Sequence, residues 1–189
     1  MCLSSWRKKR SVVKRYNITC ASYDEQYAQE QVAKYCAVQK VLNNSLDAAI
    51  LDVGCGSGLF FSYAADKVKL VVGVDITRNL LLKAKIHAKS FCNVHIIQAD
   101  ADYLPLKNAS FDVIFAFTML QNVPVPQRAL LEFKRQTTMG VGKLVVTGLK
   151  KVFEATAFLA LFKTNGFRLF EFIDAPNLNC YIAIVDVNC

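Results

Sequence analysis

The stretch LDVGCGSGLF, residues 51–60, places Gly54, Gly56 and Gly58 directly after an apolar run. Glycine weakens regular structure, so it is commonly kept where the backbone turns tightly or lets a ligand approach closely. The run that leads into it, AILDV at 49–53, has the continuous apolar character of a strand buried in a parallel sheet. The stretch therefore predicts a buried strand that ends in a ligand-binding turn.

Strand-like and helix-like segments alternate along the rest of the chain. Apolar or β-branched runs predict strands at 49–53, 70–76, 93–99, 111–117, 142–149, 167–173 and 180–187. Helical patterns occur at 23–42, 59–66, 78–90, 126–138 and 152–166. This alternation predicts an α/β fold with helices on both faces of a parallel sheet. The last two strands follow each other without a helix, so they predict an antiparallel hairpin at one edge.

The composition is typical of a compact globular protein, because 53% of the 189 residues are hydrophobic and 20% are charged. We expect a basic segment at 1–22 and a single domain at 23–189 that includes a lid helix at 23–42. Residues 1–16 contain six basic residues and no acidic one. This segment could bind nucleic acid or another anionic surface, or it could be a solvated, frayed chain end.

Seven cysteines occur, but none forms a C-x-x-C pair and their number is odd. The sequence therefore predicts neither a metal site nor a disulfide framework. It also contains no apolar signal segment and no apolar run long enough to span a bilayer. We therefore expect a cytoplasmic protein without a membrane span.

Acidic residues follow the second and third strands, at Asp75 and Asp100. Ligands of an open parallel sheet bind at the carboxyl ends of its strands. Asp75 lies 21 residues after Gly54, a spacing that suits a carboxylate on ribose hydroxyls. Each residue also has a local explanation, since Asp75 could cap the next helix and Asp100 could form a turn or cap a short helix at 102–104.

Two features of the glycine stretch argue against a dinucleotide. The third glycine, Gly58, comes one residue early for the G-x-G-x-x-G pattern. Asp52 precedes the turn, and its negative charge would repel a pyrophosphate. The same charge favours a ligand that carries an ammonium and a sulfonium group.

Four motifs, taken together, resemble the class I S-adenosylmethionine-dependent methyltransferases. They are LDVGCGSG, VVGVDIT, IIQADADYLPLKNASFDVIFAFTMLQNV and LFKTNGFRLFEF, in this order along the chain. The resemblance covers roughly 46–186 and is strongest to a small single-domain branch with a D-x-G-C-G-x-G motif. It implies a Rossmann-like three-layer sandwich, whose seven-stranded, mostly parallel sheet has an antiparallel last strand.

The resemblance also implies a binding site for S-adenosyl-L-methionine as cofactor. Asp52 would hold its amino group, Asp75 its ribose hydroxyls and Asp100 its adenine amino group. Cys55 would serve as a small residue that lets the backbone approach the ligand, and it is not expected to be a nucleophile. The full set of expected cofactor-binding residues is Asp52, Gly54, Cys55, Gly56, Gly58, Asp75, Ile76, Asp100, Ala101, Ala116 and Phe117.

Methyl transfer from a sulfonium is a direct displacement, so alignment of the two reactants supplies most of the catalysis. A catalytic base is therefore not required. The candidates near the methyl group are Thr118, Gln121, Asn122 and Tyr23. Related enzymes often carry histidines where Gln121 and Asn122 stand, and neither amide can act as a base at neutral pH.

Three functions remain open at this point. The basic segment favours an acceptor that is RNA or a translation-related macromolecule. The resemblance implies that such an enzyme can pair with a small zinc-binding activator, for which the strand at 94–98 is the expected docking site. Alternatively, the helix at 23–42 closes over a pocket and the protein methylates a small molecule. A cofactor-binding subunit without catalysis is the third function.

Overall fold

The computed structural model describes residues 3–43 and 45–187, and within these ranges seven strands form one sheet. The strands are β1 (Ala49–Val53), β2 (Leu70–Asp75), β3 (Val94–Gln98), β4 (Val113–Ala116), β5 (Lys143–Leu149), β6 (Phe167–Ile173) and β7 (Cys180–Val187). Their order across the sheet is β3-β2-β1-β4-β5-β7-β6. The first five strands pair in parallel, whereas β7 pairs antiparallel with both β5 and β6. The expected Rossmann-like α/β fold with an antiparallel last strand is confirmed.

Helices connect and flank these strands. In the described part of the chain they are α1 (Leu3–Thr19), α2 (Tyr23–Ala37), α3 (Gln39–Leu42), α4 (Phe61–Ala64), α5 (Arg78–Ala88), α6 (Pro126–Gln136) and α7 (Ala155–Thr164). Two single 3₁₀ turns lie at Ala65–Lys67 and Leu120–Asn122. None of these helices combines the length and the apolar character needed to cross a membrane.

The lid expected as one helix over 23–42 is two helices, and that prediction is wrong at Val38. This residue has φ −110° and ψ 9°, which interrupts the helix between α2 and α3. Its side chain is fully buried in the core. The chain turns at Val38 because the turn directs a β-branched side chain inward, where burial offsets the loss of a helical hydrogen bond.

The basic N-terminal segment is folded over residues 3–19, so its interpretation as a frayed chain end is wrong there. It forms α1, which contacts α5 and the 3₁₀ turn at Leu120–Asn122. Lys9 of this helix is 5% exposed. A buried charged side chain needs partners, and those of Lys9 lie in the functional site.

Two apolar cores cover the two faces of the sheet, and residues of one core pack against the glycine turn after β1. On that face Phe61 is fully buried, and its ring lies under two glycines, Gly58 and Gly73. A methyl group added at Gly73 would lie 2.5 Å from the Cζ atom of Phe61. Gly73 therefore leaves space for the Phe61 ring.

We expect Gly73→Ala to destabilise the protein by roughly 1–3 kcal/mol through overpacking. The cost should fall by at least about 1 kcal/mol in a Phe61→Leu background, because leucine lacks the ring atoms that clash. Urea unfolding of the two single variants and the double variant measures this coupling. Strictly additive free energies would contradict the packing described here.

Candidate active site

The turn after β1 is shaped by glycines in the left-handed region of backbone space. Gly54 has φ +77° and Gly56 has φ +57°. A Cβ atom at Gly54 would lie 2.7 Å from the Cβ of Met119, closer than real contacts allow. The turn is thus a cradle of bare backbone, on which the side chain of Met119 packs directly at Gly54.

The carboxylate of Asp75 joins this turn to the end of β2. Its Oδ2 accepts the amide N–H of Gly56 at 3.1 Å, and its Oδ1 accepts the amide N–H of Thr77 at 2.7 Å. Burial raises the pKa of Asp75, and these amides oppose that rise. Thr77, not Asp75, is the residue immediately before α5. The carboxylate keeps further acceptor positions for a ligand, since each oxygen can accept twice.

Asp100, at the end of β3, is held by Lys9 of α1. The Lys9 Nζ lies 2.6 Å from Asp100 Oδ2 and 2.5 Å from Asp102 Oδ2. Burial alone would lower the pKa of Lys9, but hydrogen bonds and charges from both carboxylates outweigh it and raise the pKa. Asp100 Oδ1 also accepts the Asp102 amide at 3.1 Å, within a turn over 100–103 that replaces the short helix considered from sequence at 102–104.

A first cavity lies at this edge of the sheet, and seven of the expected cofactor-binding residues line it. They are Gly54, Gly56, Asp75, Ile76, Asp100, Ala101 and Phe117. Side chains from the N-terminal helices complete its wall, among them Lys9, Tyr16 and Tyr23. Lys9 was not anticipated, because a lysine in a basic run gives no sign that it will be buried.

The other four expected residues lie outside the first cavity. Asp52 and Cys55 line a smaller adjoining cavity, which shares Gly54 and Phe117 with the first one. Ala116 is fully buried in the core. Gly58 lies against the ring of Phe61 and shapes the turn.

Asp52 and Cys55, which line the smaller cavity, are both kept in their protonated, neutral forms. Asp52 is 2% exposed, and burial together with the charge of Asp75 raises its pKa to about 8. The expectation of a negative charge on Asp52 is therefore wrong for the free protein at neutral pH. Burial also raises the pKa of the Cys55 thiol. A nucleophilic cysteine needs a lowered pKa, so the environment of Cys55 agrees with its interpretation as a small residue in a tight turn.

A second cavity of about 820 Å³ adjoins the first. The two cavities share four lining residues, namely Tyr16, Tyr23, Thr118 and Asn122. Gln121 lines the second cavity only. All four catalytic candidates from the sequence, Thr118, Gln121, Asn122 and Tyr23, therefore border the second cavity.

Thr118 is the most constrained residue of the shared wall. Its φ of +55° is unusual for a residue that carries a side chain, and such strain costs about 1–3 kcal/mol. The amide of Thr118 donates to Thr147 Oγ1 at 2.7 Å, and its hydroxyl accepts from Lys34 Nζ at 2.7 Å. Its carbonyl accepts from the side-chain amides of Gln121 and Asn122.

Lys34 of α2 is a functional-site residue that the sequence reasoning missed. It is 1% exposed, and besides Thr118 it contacts Glu30 at 2.9 Å. A signal was present, because Lys34 follows buried Gln31 by three residues and precedes buried Val38 by four, a spacing that places all three on one helical face. A charged residue on a buried helical face is rare without a partner.

We expect Lys9→Met to loosen α1, because it leaves the carboxylates of Asp100 and Asp102 buried without a cation. Breaking such a pair costs roughly 3–5 kcal/mol, so hydrogen-exchange protection of α1 should fall by at least about a hundredfold. Arg7→Met is the matched control, since it removes the same charge from an exposed position of the same helix. Equal protection in the two variants would show that Lys9 does not anchor α1.

Comparison with known proteins places this geometry in a family. The family described as methyltransferase domain matches residues 51–145. A ubiquinone biosynthesis O-methyltransferase of Coxiella burnetii is 34% identical over 107 residues, which are 56% of this chain and 45% of that protein. A ubiquinone/menaquinone biosynthesis C-methyltransferase of Campylobacter jejuni is 29% identical over 159 residues, 77% of this chain and 66% of that protein. The chain thus spans less than half the length of the first relative.

A solved structure shares the fold along nearly its whole length. It is the complex between the Haloferax volcanii Trm112 methyltransferase activator and the putative methyltransferase, matched with a TM-score of 0.75 and 13% identity over 92% of this chain and 98% of that one. At 13% identity this match shows that the two proteins share a fold, and it shows nothing about shared function. The family match, the sheet order and the glycine turn agree: the chain belongs to the class I S-adenosylmethionine-dependent methyltransferase family.

Proposed function

We propose that this chain binds S-adenosyl-L-methionine in the first cavity and transfers its methyl group to a small molecule in the second. The observation that carries the proposal is the wall shared by the two cavities. Because Tyr16, Tyr23, Thr118 and Asn122 border both, ligands in the two cavities would meet at these side chains. Their meeting point would be enclosed by α1 and α2, which supply the two tyrosines.

The residues of the first cavity suit this cofactor. The cradle at Gly54 and Gly56 lines the first cavity with backbone that carries no side chain, and Asp75 offers a fixed carboxylate for ribose hydroxyls. Asp100 faces the same cavity, although Lys9 already holds one of its oxygens. In this proposal Lys9 and Asp100 together form the adenine end of the site.

When held by the glycine turn and Asp75, the cofactor would supply a methyl group that the positive charge of its sulfur activates toward an acceptor lone pair. The chain's own part is to align the acceptor and exclude water, which contributes up to roughly 7–11 kcal/mol. Burial raises the pKa of Tyr23 above that of an ordinary tyrosine, so its hydroxyl donates hydrogen bonds and does not serve as a base. Thr118 is positioned by Lys34 and Thr147.

Three observations favour a small acceptor over RNA. The second cavity has the volume of a typical small-molecule site. The basic N-terminal segment turns one of its charges inward, since Lys9 is buried and pairs with Asp100. The Coxiella burnetii relative is named for methylation in ubiquinone biosynthesis.

A macromolecular acceptor with an activator partner is the second candidate. The structural neighbour from Haloferax volcanii is a methyltransferase in complex with its activator Trm112. In the present chain β3 (Val94–Gln98) is an edge strand, paired on one side by β2. Such an edge can accept a further strand from a partner.

The acceptor class is tested with S-adenosylmethionine labelled in its methyl group and a cell extract fractionated into small molecules, RNA and protein. We expect the purified chain to label the small-molecule fraction. Label in RNA or protein, above all after addition of a small zinc-binding activator, would favour the second candidate. Cofactor binding without label in any fraction would favour the third function, a cofactor-binding subunit without catalysis.

We expect Asp75→Ala to abolish this labelling and to weaken cofactor binding at least about a hundredfold. Hydrogen bonds to a charged group contribute roughly 1.5–3 kcal/mol each, and two of them are lost with the ribose hydroxyls. Asp66→Ala, which removes an exposed carboxylate, is the matched control. Calorimetry with folded protein measures both affinities, and unchanged binding by Asp75→Ala would refute the assigned site.

Cofactor binding should release a proton at pH 7. With a pKa of about 8, Asp52 is mostly protonated before binding. The ammonium group of the cofactor would lower that pKa, so affinity should rise as the pH increases from 6 to 8. Calorimetry in buffers of different ionisation enthalpy detects the released proton. Asp52→Asn should abolish the buffer dependence, and its persistence in that variant would exclude Asp52 as the source.

A further inference from the structure

The second cavity carries an excess of positive charge. Among its described lining residues are four cations, Arg15, Lys34, Lys150 and Lys151, and one carboxylate, Glu30. Arg15 and Lys151 are exposed, whereas Lys34 is buried. A cavity with this balance concentrates anions, because field lines are focused where walls of low dielectric constant enclose charges of one sign.

Two of the cations are already neutralised within the protein. Lys34 contacts the Glu30 carboxylate at 2.9 Å and donates to Thr118. Lys150 pairs with Asp174 at 2.7 Å. The charges of Lys34 and Lys150 therefore mainly stabilise the positions of α2, Thr118 and the loop after β6.

The remaining two cations have no carboxylate partner among the described residues. Arg15 donates to the side-chain oxygen of Asn122 at 2.8 Å, and its guanidinium lies 4.8 Å from the centre of the Tyr16 ring. This single bond to a neutral amide uses one of the five N–H donors of a guanidinium. Lys151 is exposed at the same cavity and likewise has no described carboxylate partner.

Aromatic rings form the wall beside these cations. The ring centres of Tyr16 and Tyr23 are 5.9 Å apart, and those of Tyr23 and Tyr27 are 4.9 Å apart. All three tyrosines line the second cavity. Such a wall suits a flat ring, since aromatic pairs gain stabilisation beyond the area that they bury.

We propose that the second cavity binds an aromatic small molecule that carries one anionic group. Arg15 and Lys151 bind the anion, and the ring packs against the tyrosine wall, which extends to the side chains shared with the first cavity. This inference rests on the proposed function, because it gives the chemical class of the acceptor. The anion can be a carboxylate or a phosphate, since a guanidinium forms paired hydrogen bonds with both.

Binding of simple probes tests the proposal without knowledge of the natural acceptor. Benzoate, phenyl phosphate and neutral benzamide are titrated, by calorimetry or NMR, into the full chain saturated with S-adenosylhomocysteine. We expect one or both anions to bind at least tenfold more tightly than benzamide. The preference should shrink with added salt, because the charges lie near solvent. The stronger of the two anionic probes identifies the class of anion.

Two neutral variants place the anion within the cavity. Arg15→Gln keeps a donor for Asn122 but loses the charge, and Lys151→Gln removes the second free cation. Each should weaken binding of the preferred anion by about three- to tenfold and leave benzamide unchanged, and the double variant should lose the preference. Arg7→Gln is the control, as an exposed cation of α1 that does not line the cavity.

Several outcomes would overturn the proposal. Equal affinity for benzoate, phenyl phosphate and benzamide, no measurable binding of any probe, or the same loss in Arg7→Gln would each do so. A neutral small molecule labelled in the transfer experiment would overturn the anionic class while the proposed function stands. Label confined to RNA would overturn both.

Discussion

The carboxylate of Asp75 is the constraint on which the functional edge of the sheet depends. It holds the amides of Gly56 and Thr77, so it joins the turn after β1 to the turn after β2. Its negative charge adds to the burial that keeps Asp52 protonated on the neighbouring strand. One fixed anion thus sets both the shape of the glycine cradle and the protonation of the residue beside it. A cationic ligand suits this arrangement better than a pyrophosphate does.

The N-terminal helix depends on the same edge through a second electrostatic contact. Lys9 is buried between Asp100 and Asp102, and its charge replaces solvent around them. This contact ties α1 to the carboxyl edge of the sheet, beside its contacts with α5 and the 3₁₀ turn at Leu120–Asn122. The basic segment is therefore part of the wall of the first cavity. Only the exposed cations of this segment are free to bind other anions.

Strain at Thr118 marks the boundary between the two cavities. Its left-handed conformation persists because Thr147 binds its amide and Lys34 binds its hydroxyl. Strain of this kind is retained where surrounding structure enforces it, and it is common at functional sites. Lys34 therefore links α2 to the shared wall, so the position of α2 and the geometry of the wall are coupled.

The sequence by itself determined the order of strands and helices from residue 23 onward and seven of the residues that line the first cavity. It could do so because apolar periodicity and glycine or acidic residues after strands are local signals. It also specified β1, β6 and β7 to the residue, but it missed the break at Val38, which depends on burial of that side chain in the core. Only the tertiary structure decided the partners of Lys9 and Lys34, because their contacts join residues 91 and 84 positions apart. Burial of a lysine is stable only where the folded chain brings partners to it. Residues so far apart in the sequence give no local pattern from which such a contact can be predicted.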